Sequence, residues 1–460
     1  MPEPPFLYCS AAAPVLDLSE LGAKINDADK NRRDAYDVSR EIQVKLLQIR
    51  TELETNASTA ESMETNMTSL LDALIKYDSK NSDGTAVPER TPRVANLSNR
   101  YEDYCRFLAF QQFLKTGGWL SPETCFSFGA TDEEYLAGAC MGVCRDLERY
   151  ALGRATARDV SSVQAARNLV NEILDYLMQF DFRNGPLRRK YDGTKYALKT
   201  LETLLYELSV TGATLSGDEG GTANSEEPQP KKQKIDTDRP QDLLDAIRSR
   251  MEHRDELREK LIKKCRDSQK AAKQAIYALH REDFQKAAKL IQQCEDGIQK
   301  DLFPIVNEEP PLRSGSFANV LEEYAEAKLF QVWLLGNQEG KSTPKGSLLL
   351  LEDFPVALEP EEYLGGLCDL TGEIGRFAVQ CGTSRDYDGV RLCLEANSAI
   401  SLAISTLERA PNGINKKMDQ LRRSVEKIER MTYEMSLSKA AGININTEVT
   451  ENVEKDEDGE

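Results

Sequence analysis

The chain contains the same pattern twice, and this internal repeat limits the possible folds more than any other feature. The tetrapeptide that begins at Glu133 returns at Glu361, and the tetrapeptide that begins at Tyr206 returns, with one change, at Tyr433. Other matched pairs are Tyr104 and Tyr324, Phe110 and Phe330, Gln111 and Gln331, and Arg149 and Arg376. Because a repeat changes the domain count, the sequence predicts two homologous domains in one chain.

Apolar residues follow the helical period in both halves. Leucines three and four residues apart over 198–208 form one stripe on a helix. Apolar residues over 421–435 form a similar stripe. Residues 17–53 and 241–280 have the composition of long amphipathic helices, and proline and glycine fall between the periodic segments. We therefore expect an all-α fold of two tandem antiparallel helical bundles, with roughly six or seven helices in each.

The segment between the halves, 216–240, has almost no aliphatic side chains. Such a segment cannot bury enough apolar surface to offset the entropy lost on ordering. Its basic cluster at 230–234 is either a solvated charge run or a nuclear localisation signal. The predicted organisation is a disordered N-terminus over 1–14, a helical domain over 15–215, a flexible linker over 216–240, a helical domain over 241–440 and an acidic disordered tail over 441–460.

Composition narrows the class of protein. The net charge of −18 is unlike the basic surface of a simple nucleic-acid-binding protein, although part of it lies in the acidic residues 447–460. The ten cysteines form no CxxC pair, and only two histidines are present, which disfavours zinc. No apolar stretch approaches the ~20 residues that span a membrane, and the N-terminus lacks the features of a secretion signal. We expect a cytoplasmic and nuclear protein with reduced, buried thiols.

Two acidic pairs in the second half have the spacing that places both side chains on one helix face. Glu323 and Glu326 are one turn apart, and Asp369 and Glu373 are four residues apart in another apolar segment. Two facing helices of this kind can bring four carboxylates together inside a bundle. Carboxylates without histidine or cysteine favour hard cations, so this pattern predicts a Mg²⁺ or Mn²⁺ site. The alternative is two acidic pairs on solvated helix faces.

The first half serves as an internal control for these acids. The corresponding residues are Asp103 for Glu323, Arg106 for Glu326, Asp146 for Glu373, and either Gly142 or Met141 for Asp369, where the alignment shifts by one residue. The first copy has therefore lost two acids and gained a cation, while its apolar pattern is kept. This difference suits one catalytic and one supporting domain.

Basic residues cluster at matching positions near the start of the last helix in each half. The residues are Arg188, Arg189, Lys190, Lys195 and Lys199 in the first half, and Lys416, Lys417, Arg422 and Arg423 in the second. One interpretation is a solvated helix face. Because the clusters occur at matching sites, we favour contacts with nucleic-acid phosphates.

Several of these segments resemble the translin family. Residues 323–327 and 363–373 resemble the signature segments of translin-associated protein X, and the resemblance covers roughly 245–440. Residues 187–196 and 206–209 resemble the C-terminal helix of translin itself. The two types normally occur as separate chains, whereas this sequence joins them, which would fix their ratio at one to one.

The resemblance implies a Mg²⁺-dependent endoribonuclease that acts on single-stranded RNA and assembles as a mixed oligomer. In this family the X-type subunit carries the catalytic acids, and the translin-type subunit binds single-stranded RNA and DNA. Carried over by motif, the catalytic and metal-binding candidates are Glu323, Glu326, Asp369 and Glu373. Family roles include removal of cleaved passenger strands in RNA silencing and trimming of precursor-tRNA fragments. Fused chains would self-associate, with free translin as a further partner.

Other functions remain open at this stage. A non-enzymatic scaffold that binds single-stranded nucleic acid would keep the carboxylates for structural reasons, and a helical adaptor would need neither metal nor RNA. His253 and His280 are both far from the acids in sequence, which disfavours a paired-histidine mechanism and favours metal-assisted hydrolysis. Arg376, one turn after Glu373, is expected to pair with it.

Overall fold

The computed structural model describes residues 16–55, 93, 97–183, 186–212, 241–336 and 346–440. Within these ranges the regular structure is helical throughout and no strand occurs, so the predicted all-α class is confirmed. The predicted N-terminal segment, linker with its basic cluster, and acidic tail lie outside the described residues. None of the described helices combines the length and the apolar character needed to span a bilayer.

The first half contains seven α-helices in its described residues. They are α1 (Ser19–Thr55), α2 (Leu97–Thr116), α3 (Pro122–Phe126), α4 (Asp132–Tyr135), α5 (Val143–Thr156), α6 (Val160–Leu177) and α7 (Pro186–Val210). A π-helical segment, Leu136–Gly142, joins α4 to α5 without a break.

The second half also contains seven α-helices in its described residues. Its helices are α8 (Gln241–His280), α9 (Phe284–Gly297), α10 (Phe303–Glu308), α11 (Ser316–Leu335), α12 (Pro360–Thr383), α13 (Tyr387–Ser405) and α14 (Asn412–Ala440). A second π-helical segment, Ile298–Leu302, precedes α10. Two short 3₁₀ turns, Pro310–Arg313 and Leu351–Asp353, lie in the connections.

The one-residue shift between the copies has a structural cause. In the second half, α12 is a continuous α-helix, whereas the matching stretch of the first half contains the π-helical segment Leu136–Gly142. A π-turn accommodates one residue more than an α-turn. The extra residue of the first copy is therefore confined to this segment, and the helix on either side keeps its register with the core.

The tetrapeptide that repeats at Glu133 and Glu361 builds a helix start. Its second glutamate accepts a hydrogen bond from the backbone N–H three residues earlier, at 2.9 Å for Glu134 and 2.7 Å for Glu362. These orphan N–H groups would otherwise lack a partner at the first turn. The same carboxylates pair with an arginine at 2.7 Å, namely Arg93 for Glu134 and Arg313 for Glu362. The most visible motif of the repeat is therefore structural.

The described residues divide into two compact units, each with its own core. One consists of residues within 28–259 and 309–311, and Tyr101, Tyr135 and Leu147 are fully buried in it. The other consists of residues up to 27, 260–308 and those from 312 onwards, and Trp333 and Tyr324 are fully buried in it. The boundaries between the two units fall inside the long helices α1 and α8, whereas the sequence repeat places each of these helices wholly in one half.

Candidate carboxylate site

The four candidate acids lie on α11 and α12, which form the most extensive helix contact in their unit. Gly366 makes the close approach possible. A Cβ atom there would lie 2.6 Å from Cβ of Ala325 and 2.9 Å from the backbone nitrogen of Glu326. Any larger residue would therefore push α12 away from α11. Gly138 has the same role in the first copy, where a Cβ atom would meet the carbonyl of Glu102.

Glu326 occupies the centre of this contact and is only 9% exposed. Burial raises the pKa of its carboxyl to about 8, and repulsion from Asp369, Glu373 and Glu323 contributes to the same shift. Because like charges disfavour one another at short range, this shift means that the other three carboxylates act electrostatically on Glu326. The two acidic pairs are thus close enough in the fold to act on one another.

Lys417 lies against this acidic cluster. Its Nζ is 2.7 Å from Oδ2 of Asp369 and 2.9 Å from Oε2 of Glu322, and it donates to the carbonyl of Gly365 at 3.3 Å. Burial alone would lower the pKa of Lys417, but hydrogen bonds with Asp369 and Glu322 outweigh it and raise the pKa. Lys417 therefore remains charged and neutralises part of the cluster.

The equivalent lysine of the first half makes the equivalent pair. Lys190 contacts Glu102, at the position that corresponds to Glu322. Glu322 and Glu102 were not identified from the sequence, although both members of each pair recur at matching positions of the repeat. That recurrence is the signal that could have revealed them.

Helix α8 supplies the remaining neighbours of the acids. Lys273 Nζ lies 2.9 Å from Oε1 of Glu323, and Gln269 Nε2 lies 3.4 Å from the same oxygen. His280, at the end of α8, places Nε2 2.5 Å from Oε2 of Glu373. His280 is far from the acids in sequence but close to them in the fold, because α8 runs alongside the site.

The proton of His280 can be assigned from its surroundings. A carboxylate oxygen accepts hydrogen bonds, so Nε2 has to supply the hydrogen of this contact, while Nδ1 is buried and has no hydrogen-bond partner among the described residues. We therefore place the proton on Nε2, which donates to Glu373. Arg376 also reaches this carboxylate, with Nη1 3.9 Å from Oε2, as its spacing predicted.

The ligand geometry of a metal ion is not preformed. In the ranges that the structure describes, no three acidic, histidine or cysteine side chains are arranged to hold one ion together. Lysines neutralise two of the carboxylates instead, through the pairs of Lys417 with Asp369 and of Lys273 with Glu323. The donor set still consists of carboxylate oxygens, which suit a hard divalent cation. Side chains would have to turn away from the lysines to coordinate it.

The first copy replaces the acidic cluster by an ion pair. Arg106, at the position of Glu326, forms two hydrogen bonds with Asp146, at the position of Glu373, with lengths of 2.6 and 2.5 Å. Asp146 is buried and Arg106 is partly buried. The guanidinium of Arg106 neutralises the carboxylate of Asp146, so this place needs no bound cation. This half therefore lacks the excess negative charge that surrounds Glu326.

The basic residues at the start of the last helices divide into three groups. Arg189, Lys199 and Lys416 are exposed to solvent, as are Arg422 and Arg423. Arg188 and Lys195 pair with Asp192 on the same helix, at 3.4 and 3.8 Å. Lys190 and Lys417 instead contact acids of neighbouring helices, as described above. Among these residues Lys190 and Lys417 alone are not exposed, and the role of the exposed ones in nucleic-acid binding stays a prediction.

Comparison with known proteins identifies the repeat. The Translin family model matches the chain twice, over residues 28–212 and 256–439. The translin-associated protein X homologue of Schizosaccharomyces pombe is 26% identical over 42% of this chain and 86% of its own length. Translin of Gallus gallus is 34% identical over 17% of this chain and 34% of its own length. A crystal structure of AfC3PO aligns with 43% of this chain and 98% of its own, at 20% identity and a TM-score of 0.37. The chain belongs to the Translin family and carries two domains of that family in tandem.

Proposed function

We propose that the chain is a Mg²⁺-dependent endoribonuclease that cleaves single-stranded RNA at the carboxylates of its second half. The observation that carries the proposal is the contrast between the copies. Glu326 is buried among three other acids, whereas the first copy has the Arg106–Asp146 ion pair at the same place. A protein that needed this helix contact only for stability would have no reason to keep four acids in one copy.

The acids Glu323, Glu326, Asp369 and Glu373 would hold the metal. Their oxygen donors fit Mg²⁺ or Mn²⁺. The pKa of Glu326 is raised first by burial and then by repulsion from the other three acids, and a bound cation would relieve that repulsion. Bound there, the ion would lower the pKa of a water molecule and neutralise charge on the phosphate. Ligand carboxylates must be deprotonated, so binding should release the proton that Glu326 holds at neutral pH.

The chain's own residues have further parts in this scheme. His280 orients Glu373 through the 2.5 Å hydrogen bond. Lys417 neutralises Asp369, and its ammonium would be available to contact a phosphate if Asp369 held the cation. The exposed cations at the start of α7 and α14 would bind the RNA backbone further from the reaction.

The biological setting follows from the family resemblance. We propose that fused chains self-associate, with free translin as a possible subunit, and bind single-stranded RNA or DNA through the first half. Passenger-strand removal in RNA silencing and precursor-tRNA trimming are the proposed roles, in the cytoplasm and nucleus.

The second candidate is a nucleic-acid-binding scaffold without catalysis. The observation in its favour is that Lys417 and Lys273 already neutralise two of the acids. In this scheme the ion pairs would be structural, like Arg106 with Asp146.

Cleavage of a labelled single-stranded RNA in Mg²⁺ and in EDTA separates the two candidates. Glu326→Gln keeps the shape of the side chain and removes its charge, so the ribonuclease proposal expects products to vanish in this variant. Glu361→Gln, an exposed acid at the start of the same helix, is the matched control and should cleave normally. RNA binding without Mg²⁺-dependent products would favour the scaffold.

A further inference from the structure

One exposed face of α8 is basic where it passes the carboxylates. A shallow cavity of about 380 Å³ lies on this face and is lined by Arg266, Gln269, Lys270, Lys273, Gln274 and Tyr277. The three cations are spaced four and three residues apart, so they form one stripe along the helix. None of them belongs to the basic clusters at the start of α7 and α14.

The stripe ends at the acids. Lys273 and Gln269 both contact Oε1 of Glu323, at 2.9 and 3.4 Å. Arg266 and Lys270 continue the positive charge away from this point and are exposed. A polyanion lying along the stripe would therefore reach the carboxylate cluster at one end. Without such cations, the acids would repel a phosphate before it arrived.

The first copy lacks this net positive charge on the matching face. Ser39 of α1 and Ser268 of α8 are both buried, and they set the register between the two helices. In that register Asp37 corresponds to Arg266, Glu41 to Lys270 and Val44 to Lys273. The buried positions Ile42 and Leu46 then correspond to Ala271 and Ala275, which are also buried. The core face is kept. Arg40 and Lys45 correspond to Gln269 and Gln274, so this face has no net charge in the first copy and carries three positive charges in the second.

This gain of positive charge occurs in the copy that has the four carboxylates. A solvated helix face has no reason to gain three positive charges together with an acidic cluster on other helices. We propose that Arg266, Lys270 and Lys273 bind the phosphodiester backbone of single-stranded RNA and direct it to Glu323 and its neighbours. The choice of RNA as the polyanion rests on the proposed function.

Tyr277 completes the face at the end nearest His280. Its side chain is 52% exposed, although it is a large aromatic group on an otherwise polar surface. Arg281 lies 5.2 Å from the ring centre. Bases stack on such rings without regard to sequence, and arginine adds a cation–π contribution. Tyr277 therefore supplies a base contact beside the phosphate contacts of the three cations.

The test measures binding of labelled oligouridine RNA in EDTA, where turnover is suppressed, over a series of salt concentrations. Each phosphate contact contributes about 0.7 to the slope of log affinity against log salt for a single strand, so Arg266→Gln with Lys270→Gln and Lys273→Gln should lower the slope by about 2. Tyr277→Leu should weaken binding about tenfold without changing the slope.

The matched control carries the same change in charge elsewhere in the same unit. Lys263→Gln with Lys286→Gln and Lys289→Gln removes three exposed lysines outside the face and should leave the slope at the wild-type value. Equal slopes for the two triple variants would overturn the inference. So would equally effective competition by polyglutamate of matched charge, which would mark the face as a surface for acidic protein.

The outcomes separate this inference from the proposed ribonuclease. If the triple variant loses binding but the wild type shows no Mg²⁺-dependent products, the RNA face stands and the catalytic proposal fails. If Glu326→Gln abolishes cleavage while the triple variant binds and cleaves like the wild type, catalysis stands and the RNA face is refuted.

Discussion

The guanidinium of Arg106 forms two hydrogen bonds with the carboxylate of Asp146, at 2.6 and 2.5 Å, where the second copy has two acids. One copy thus has a neutral pair at the centre of its helix contact, and the other has a cluster with excess negative charge. The same backbone framework supports both, because the close approach depends on Gly138 and Gly366 rather than on the charged residues.

Removing Arg106 should destabilise the first-half unit. Arg106→Gln leaves the buried Asp146 without its main counter-ion, and breaking a buried pair in this way costs about 3 kcal/mol, the lower end of the usual range. We take the lower end because Arg106 is about a quarter exposed. The measurement is the midpoint of urea denaturation. Arg189→Gln, at an exposed position, is the control, and equal midpoints for the two variants would contradict the structural role of the pair.

Gly366→Ala should separate α11 from α12. The added methyl group would meet backbone and side-chain atoms of α11 at under 3 Å. Overpacking of this kind costs about 1–3 kcal/mol. Gly413→Ala, where a Cβ atom meets nothing within 4 Å, is the control and should change stability by less than about 1 kcal/mol. The measurement is the thermal unfolding of the two variants and the wild type. A loss of stability in both, or in neither, would show that the helix contact is not as close as described.

The raised pKa of Glu326 predicts a pH dependence of stability. Its value of about 8 in the folded protein lies above the ordinary glutamate value, so the folded state binds the proton more tightly than the unfolded state. The resulting stabilisation is complete below about pH 4 and is lost as the pH rises towards 8. Glu326→Gln mimics the neutral form and should lack this loss, so its advantage over the wild type should grow with pH, on the order of a few kcal/mol.

The corresponding experiment is urea denaturation of both proteins at several pH values between 4 and 9, with Glu361→Gln as the control for a glutamate at an exposed position. Parallel stability curves for the wild type and Glu326→Gln would mean that Glu326 titrates normally, and the electrostatic description of the cluster would then fail.

Mg²⁺ should stabilise the folded chain in a way that depends on the acids. A ligand that binds only the folded state adds about 2.7 kcal/mol at a hundredfold excess over its Kd. We expect a rise in Tm with Mg²⁺ for the wild type, and little or none for Glu326→Gln or Asp369→Asn. The effect should increase above pH 8, where Glu326 no longer has to release a proton. An equal rise in all three proteins would assign the ion to another place.

Much of the fold could be predicted from the sequence because it rests on local periodicity. The leucine stripe of α7 and its counterpart on α14 predicted these two helices, and the internal repeat predicted two domains. The spacing of the acids also predicted that Asp369 and Glu373 share one face of their helix, as Glu323 and Glu326 do. These inferences need only the geometry of single helices and the rule that apolar faces meet.

The rest depended on contacts between segments that are distant in the chain. His280 is 93 residues from Glu373, and nothing in the sequence shows that α8 runs beside α12. Lys417 belonged to a cluster interpreted as phosphate contacts, yet its ammonium lies 2.7 Å from Asp369. Charge alone does not tell a solvent-facing lysine from one that neutralises a partly buried acid. The one-residue shift was visible in the sequence, but its form as a π-turn was not.

The π-helical segment Leu136–Gly142 also bears on how such a chain diversifies after duplication. An inserted residue in an ordinary α-helix turns everything beyond it by roughly 100°, which would expose the core face of α5. A π-turn confines that rotation, so a single-codon insertion or deletion leaves the packing on both sides intact. The turn lies where the second copy has Asp369. The two copies can therefore differ in the number of residues at this point while remaining equally foldable, which lets one copy change its chemistry without first losing its structure.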